Sequence, residues 1–106
     1  MQALVWLAFD LGIRGDLEGI YQFLGEHDAK ECGGNMGTFK FTYNEDIPTE
    51  LTQQLKNVVK FDKRSRVYVI YPRAGKSVAK FIIGSRRSPP WSSYVPSQDN
   101  GEDVGE

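Results

Sequence analysis

Two segments with helical periodicity, each lying between short runs typical of strands, constrain the fold of this chain more than any other feature. Residues 3–10 form a continuous apolar run that closes on Asp10 and predicts a central strand buried on both faces. Residues 16–28 carry apolar side chains at helical spacing after an acidic start, and residues 48–60 repeat that spacing. The chain therefore alternates strands with two amphipathic helices.

The remaining strands are marked by alternation and by turn residues. Residues 33–35, Gly-Gly-Asn, predict a hairpin turn, and aromatic and polar side chains alternate over residues 37–43. Residues 66–73 form the strongest strand pattern, which Pro72 is expected to end, and residues 78–83 form one more strand. The order β-α-β-β-α-β plus a C-terminal strand predicts an α+β domain of the ferredoxin-like split βαβ kind, with an antiparallel-dominated sheet and both helices on one face.

The composition changes after residue 87. We expect residues 1–87 to form the domain and residues 88–106 to form an extended, disordered acidic tail, because residues 97–106 offer almost nothing apolar to bury. Trp91 and Tyr94 could lay the start of this tail over the domain or a partner. No apolar run approaches the roughly 20 residues that span a bilayer, and no basic secretion signal is present. A cytoplasmic protein without membrane association is expected.

The formal net charge of −1 hides a strong asymmetry. Residues 1–55 carry three basic and nine acidic side chains, a net charge of −6, whereas residues 56–87 carry ten basic and one acidic side chain, a net charge of +9. A basic segment favours an anionic partner, here the backbone of DNA or RNA; the alternative is a solvated surface that pairs with the acidic first half, within the chain or across a dimer. The residues expected to contact phosphates are Arg14, Arg64, Arg66, Arg73, Lys76, Arg86 and Arg87.

Asp10 is the leading candidate for chemistry. It ends the first strand at the glycine-bearing loop of residues 10–15, which also holds Arg14, so its carboxylate lies at an edge of the sheet with an arginine nearby in sequence. The alternative is structural, because an aspartate at a strand end commonly anchors the following loop or caps a helix.

The strand from Val5 to Asp10, the helix, the hairpin, the second helix and the strand Arg66-Val-Tyr-Val-Ile-Tyr-Pro together resemble the small CRISPR-associated subunit of the spacer-integration complex. Messenger-cleaving antitoxins and VapD-type ribonucleases share this outline, which covers residues 3–84. The resemblance implies a two-fold homodimer in which Asp10 binds a shared divalent metal and is catalytic in members that cut nucleic acid. Mg²⁺ or Mn²⁺ would suit such a site, since no histidine or cysteine lies close to Asp10 in sequence.

Other chemically active side chains have stronger structural interpretations. His27 and Asp28 could form an acid–base pair, but a histidine at the end of a helix also suits the negative end of the helix dipole. The glycines of residues 33–37 lack the lysine and hydroxyl residue of a phosphate loop, which favours a turn. Cys32 is the only cysteine, which excludes an internal disulfide, and we expect it to be a buried or half-buried strand residue.

Aromatic residues of the predicted strands could stack on nucleobases if they lie on an open face of the sheet. Phe39, Phe41 and Tyr43 share one face of their strand, whereas Tyr68 and Tyr71 point to opposite faces. We therefore expect at least one of these two sets to pack into the core.

Three functions stay open at this point. The first is a nucleic-acid-binding homodimer, with metal-dependent endonuclease activity as a further possibility and with residues 78–83 as part of the dimer interface. The second is a non-enzymatic protein-interaction module, such as an antitoxin or a phage-type inhibitor, with a protein as its partner. The third, a small-molecule-binding regulatory domain, rests on fold analogy alone.

Overall fold

The computed structural model describes residues 1–94. In chain order the elements are β1 (Gln2–Asp10), α1 (Leu17–Glu26), β2 (Lys30–Gly33), β3 (Met36–Thr42), α2 (Ile47–Val58), β4 (Arg66–Arg73), β5 (Lys76–Ile83) and a 3₁₀ turn (Ser92–Tyr94). No helix among the described residues has the length and apolar character needed to cross a membrane. The predicted tail, residues 88–106, is described as far as Tyr94; its remainder, including residues 97–106, lies outside the described residues.

The five strands form one antiparallel sheet in the order β2-β3-β1-β4-β5. β1 lies at its centre, where Val5 pairs with Phe39 of β3 and Leu7 pairs with Val69 of β4. This small α+β architecture, a five-stranded antiparallel sheet with two helices, is compatible with the predicted ferredoxin-like fold.

Alternate residues of the central strands face the helices and form the core. Both helices contribute their apolar stripes to the same cluster, so both pack on one face of the sheet, as the sequence predicts. The opposite face carries no helix in the part of the chain that the structure describes. Residues at the centre of the core include Val5, Leu7, Ile20, Phe23, Leu51, Leu55, Val67 and Val69.

Each helix begins at an aspartate that caps it. The carboxylate of Asp16 accepts hydrogen bonds from the backbone N–H groups of Gly19 and Lys60, both at 2.9 Å. The start of α1 is thereby fixed to the chain that leaves α2. Asp46 accepts the N–H of Thr49 at 3.0 Å and caps α2 in the same way.

Three sequence-based expectations are wrong in detail. β1 lies at the centre of the sheet as predicted, but it is buried on one face only, because no helix of residues 1–94 covers the other face, where Leu4 is 43% exposed. β4 does not end at Pro72 but continues through it, because β1 stops pairing with β4 at Ile70 and a proline is tolerated where a strand has one neighbour only. Cys32 lies in a strand as predicted, but its side chain is exposed rather than buried. The reason is that β2 is a four-residue strand at the edge of the sheet, where neither helix covers it.

Candidate nucleic-acid interface

The sheet face opposite the helices keeps several aromatic side chains in contact with solvent. Because side chains alternate along a strand, Trp6 of β1 and Tyr68 of β4 point away from the core. Phe81 of β5 lies opposite Tyr68 in the ladder, and their ring centroids are 5.0 Å apart in an edge-to-face arrangement. Tyr68 is 37% exposed and Phe81 is 38% exposed. We call this surface the open face.

A cleft of about 530 Å³ lies between the open face and the segment that follows β5. The sheet forms one wall of the cleft, and the other wall is formed by Pro89, Pro90 and Trp91. Trp91 is 64% exposed. We call it the aromatic cleft. Besides these residues its lining includes Tyr68, Phe81, Asp10, Arg66 and Arg86.

Asp10 joins the first strand to two arginines of this cleft. Arg66 stands opposite Asp10 in the β1–β4 ladder and donates a hydrogen bond from Nη2 to Oδ2 at 2.9 Å. Nη2 of Arg86 lies 3.6 Å from the same oxygen, and the N–H of Gly12 donates to Oδ1 at 3.3 Å. The Arg66 hydrogen bond is the main cause that lowers the pKa of the Asp10 carboxyl, and Gly12 and the two positive charges act in the same direction. Asp10 is therefore ionised and held between two guanidinium groups.

The Gly12 hydrogen bond is the contact that a loop-anchoring aspartate makes. The Asp10 side chain is also 53% exposed, so one part of the carboxylate faces solvent. Among residues 1–94 no three His, Cys, Asp or Glu side chains are grouped so that they could hold a metal ion. Asp10 as a metal ligand and catalytic residue stays a prediction.

Several of the predicted phosphate-binding residues lie at the Asp10 end of the sheet. Arg14 and Arg64 line a second cleft, of about 590 Å³, between the loop after β1 and the loop before β4. Lys63, which the sequence analysis did not select, lines the same cleft. With Arg66 and Arg86 these residues form a cluster that we call the basic end.

Arg73 and Lys76 are not brought to this cluster. Arg73 pairs with Lys76 in the β4–β5 ladder, at the opposite end of β4 from Arg66. A strand rises about 3.3 Å per residue, so Arg66 and Arg73 are about 23 Å apart along β4. Arg87 follows Arg86 and is exposed. The predicted basic surface thus divides into two groups at the two ends of β4.

Pairing between the basic segment and the acidic first half is limited. Among residues 1–94 the ion pairs are those of Asp10 with Arg66 and with Arg86. Most of the basic side chains of residues 56–87 therefore form no direct ion pair with acids of residues 1–94, and they remain accessible to an anionic partner.

The other candidates have structural roles. The ring of His27 stacks on Phe23 with centroids 4.2 Å apart, and Nδ1 lies 2.9 Å from the backbone oxygen of Phe23, which confirms the interpretation of His27 as a helix-end residue. Phe39, Phe41 and Tyr71 are buried in the core, as predicted for at least one aromatic set.

The cleft also contains residues that the sequence analysis did not assign to a site. Phe81 reaches the open face because the regular register of the β4–β5 ladder places it opposite Tyr68, and the shift in this ladder comes only beyond that pair. Asn35 fixes the β2–β3 turn beside the cleft through its side-chain amide, which donates to the backbone oxygen of Phe9 at 3.0 Å. Of the three residues Phe81, Asn35 and Trp91, only Trp91 could have been selected from the sequence, because it follows two prolines.

Comparisons of the chain with protein-family models, with curated proteins and with solved structures found no match. Function is therefore inferred from the geometry and charge of this site.

Proposed function

We propose that this protein binds nucleic acid through the basic end and the adjoining open face. The observation that carries the proposal is the gathering of Arg14, Lys63, Arg64, Arg66 and Arg86 at one end of the sheet, with Asp10 as the one acid in residues 1–94 that forms an ion pair with any of them. Arginine and lysine are the usual ligands of backbone phosphates, and such contacts supply most of the affinity for nucleic acid. Contacts of this kind bind DNA and RNA alike.

The proposal includes the ferredoxin-like split βαβ fold and the resemblance to the small CRISPR-associated subunit and its ribonuclease relatives. The strand order supports the fold, because β3 lies between β2 and β1 and β5 is added at the edge beyond β4.

We also propose a homodimer that uses the outer edge of β5. In the enzymatic form of the proposal, Asp10 residues of two copies share Mg²⁺ or Mn²⁺ and act in the cleavage of a phosphodiester bond.

Binding is tested by the anisotropy of labelled single-stranded RNA, single-stranded DNA and duplex DNA over a series of salt concentrations. We expect log K to fall linearly with log salt for the wild-type protein. The variant Arg14→Ala/Arg64→Ala removes two exposed charges of the basic end and should lower the duplex slope by about 2, since each phosphate contact contributes ~0.9. No binding at about 50 mM salt, where electrostatic binding is strong, would end the proposal.

The matched control removes the same charge at the other end of β4. Arg73→Ala/Lys76→Ala takes away two exposed cations that lie outside the basic end. We expect a smaller loss of affinity than in Arg14→Ala/Arg64→Ala. Equal losses in the two variants would show that charge alone, and not its position, governs binding.

The enzymatic form is tested by Mg²⁺- and Mn²⁺-dependent cleavage of single-stranded RNA and duplex DNA. Wild type is compared with Asp10→Asn, and circular dichroism checks the fold of both. Cleavage that is lost in Asp10→Asn supports Asp10 as the catalytic residue. Equal cleavage in both, or none in either, removes Asp10 from catalysis and leaves nucleic-acid binding as the function.

A protein-interaction module is the second candidate, and the open face is the observation that favours it. Leu4, Tyr68 and Phe81 are all more than one third exposed on this face, and contiguous exposed apolar surface commonly marks a protein interface. Salt dependence separates the two candidates, because an apolar interface loses little affinity as salt rises, whereas phosphate binding weakens steeply.

A further inference from the structure

We infer that the aromatic cleft takes one unpaired nucleobase of a single-stranded nucleic acid, with the adjacent phosphate at Arg66 and Arg86. This inference rests on the proposed nucleic-acid binding and adds the class of ligand, a single strand rather than a duplex. The cleft volume of about 530 Å³ lies within the range of ~300–1,000 Å³ that is usual for ligand clefts.

The lining of the cleft has the side chains that recognise an unpaired base. Tyr68 and Phe81 meet edge to face, so each leaves part of its ring to a further aromatic partner, and both are more than one third exposed. The indole of Trp91 lines the same cleft from the segment after β5. Bases stack on such rings whatever their identity, because every base has a π-face. In a duplex those faces are already stacked on neighbouring bases, so a duplex cannot offer one to the cleft without unpairing.

The charge of the cleft matches one nucleotide. The charges of Arg66, Arg86 and Asp10 sum to +1, which complements the single negative charge of a phosphodiester. Each guanidinium carries five N–H donors, and Asp10 is the only ion-pair partner of either group among residues 1–94. Donors therefore remain for a phosphate, while Asp10 fixes the direction in which both groups point.

The segment that supplies Trp91 is held in place before any ligand binds. The Asp10–Arg86 contact joins it to β1, and two consecutive prolines restrict the backbone immediately before Trp91. The N–H of Ser92 donates to the oxygen of Pro89 at 3.0 Å, and the N–H of Tyr94 donates to the oxygen of Trp91 at 2.9 Å. Because the backbone around Trp91 is restricted in this way, less conformational entropy of the segment is lost when a base stacks on the ring.

The test uses the full chain and the fluorescence of Trp91. The chain has two tryptophans, so in a Trp6→Phe background the emission reports Trp91 alone. The probes are single-stranded oligo-dU, single-stranded oligo-U and a blunt-ended DNA duplex without a loop, all of equal charge. We expect both single strands to quench the emission at saturation and the duplex to leave it unchanged. A difference between the oligo-dU and oligo-U arms, which share the same base, identifies the preferred sugar.

A pair of variants tests the stacking itself. Trp91→Ala should weaken single-strand binding roughly tenfold, as expected for the loss of one base–aromatic stack. Tyr94→Ala is the matched control, because Tyr94 is 85% exposed, belongs to the same segment and does not line the cleft. We expect it to bind single strands like the wild type.

Four results would overturn the inference. Wild-type affinity in Trp91→Ala, or quenching by duplex equal to that by single strands, would remove base stacking but leave the salt-dependent phosphate binding of the proposed function intact. Quenching that follows protein concentration without any oligonucleotide would show that a second copy of the chain fills the cleft. Absence of all binding at low salt would overturn both proposals together.

Discussion

Glu50 accepts hydrogen bonds from three successive backbone N–H groups, those of Asn44, Glu45 and Asp46, each at 2.8 Å. These groups precede α2 and would otherwise have no partner in the helix. The backbone hydrogen bonds lower the pKa of the Glu50 carboxyl, with the Asp46 N–H as the largest cause. One side chain thus fixes the chain between β3 and α2.

We expect Glu50→Gln to be less stable than the wild type at pH 7 and to lose that difference in acid. A carboxyl whose pKa is lowered by folding stabilises the protein above its unfolded pKa, near 4.5, and this contribution disappears as the pH falls through the lower folded pKa. Urea midpoints at pH 7 and at pH 3 measure the effect.

Glu45→Gln is the control for this experiment, since its side chain lies in the same turn and makes no hydrogen bond among residues 1–94. It should leave the urea midpoint unchanged at both pH values. A difference between Glu50→Gln and wild type that is equally large at pH 7 and pH 3 would contradict the role assigned to the ionised carboxylate.

Gly84 directs the chain from β5 toward the aromatic cleft. Its φ is +64°, in the region that favours glycine, and an added Cβ would fall on the backbone oxygen of Ser65. We expect Gly84→Ala to lower the free energy of unfolding by roughly 1–3 kcal/mol, the usual cost of a strained backbone position. Chemical denaturation measures the loss.

Gly25→Ala provides the opposite case. Gly25 lies in α1 and nothing is within 4 Å of the position that its Cβ would take. Alanine there should raise stability, by up to about 1 kcal/mol. Destabilisation by both substitutions to a similar extent would show that neither glycine acts through the contacts described here.

At the scale of the elements, β5 is the strand most open to another chain. It forms one edge of the sheet, and Ser77 and Ala79 are exposed on it, while Val78 and Ile82 contribute only partly buried apolar surface. β5 is eight residues long, and its two lysines protect this edge only partly from pairing with a strand of another chain.

We predict that light scattering finds a dimer at tens of micromolar, a concentration of about the order that a specific interface needs. Ser77→Lys/Ala79→Lys should shift the mass toward the monomer, because like charges on two facing edge strands repel each other. The control is Glu31→Lys on the opposite edge strand, β2, which should leave the dimer intact. A wild-type monomer at this concentration would contradict the prediction.

Local sequence patterns were sufficient to predict most of the elements. The predicted strand over residues 66–73 coincides with β4 except that Pro72 does not end it, and α1 begins directly after Asp16, its predicted capping residue. The site was only partly predictable, because Asp10 and Arg66 are 56 positions apart and meet through the register of two strands. No local periodicity specifies that register. The separation of Arg66 and Arg73, by contrast, follows from the predicted strand itself, because the two residues lie at its opposite ends.

At the scale of the whole molecule, the last ten residues of the chain carry a net charge of opposite sign to that of the basic segment, residues 56–87. Residues 97–106, which lie outside the described residues, contain four acidic side chains and no basic one. All residues of the core precede residue 84. Removal of residues 97–106 changes the formal net charge from −1 to +3.

Truncation after Pro96 should therefore leave the melting temperature unchanged and raise the affinity for nucleic acid at low salt, since less negative charge opposes the approach of phosphates. Circular dichroism melting and anisotropy measure the two effects. Truncation after Arg87, which also removes Trp91, is the comparison and should weaken single-strand binding. A lower melting temperature after the shorter deletion would show that residues 97–106 contribute to the fold.

The central position of β1 also has a consequence for the synthesis of this protein. β1 leaves the ribosome before its two neighbours in the sheet, and the second of them, β4, begins only at Arg66. During translation the apolar β1 is therefore exposed along both edges until β3 emerges, and along one edge until most of the domain has emerged. Non-local pairing of this kind also slows folding. The yield of folded protein in the cell is thus expected to depend on how long that strand stays unpaired, and so on translation rate and chaperone supply.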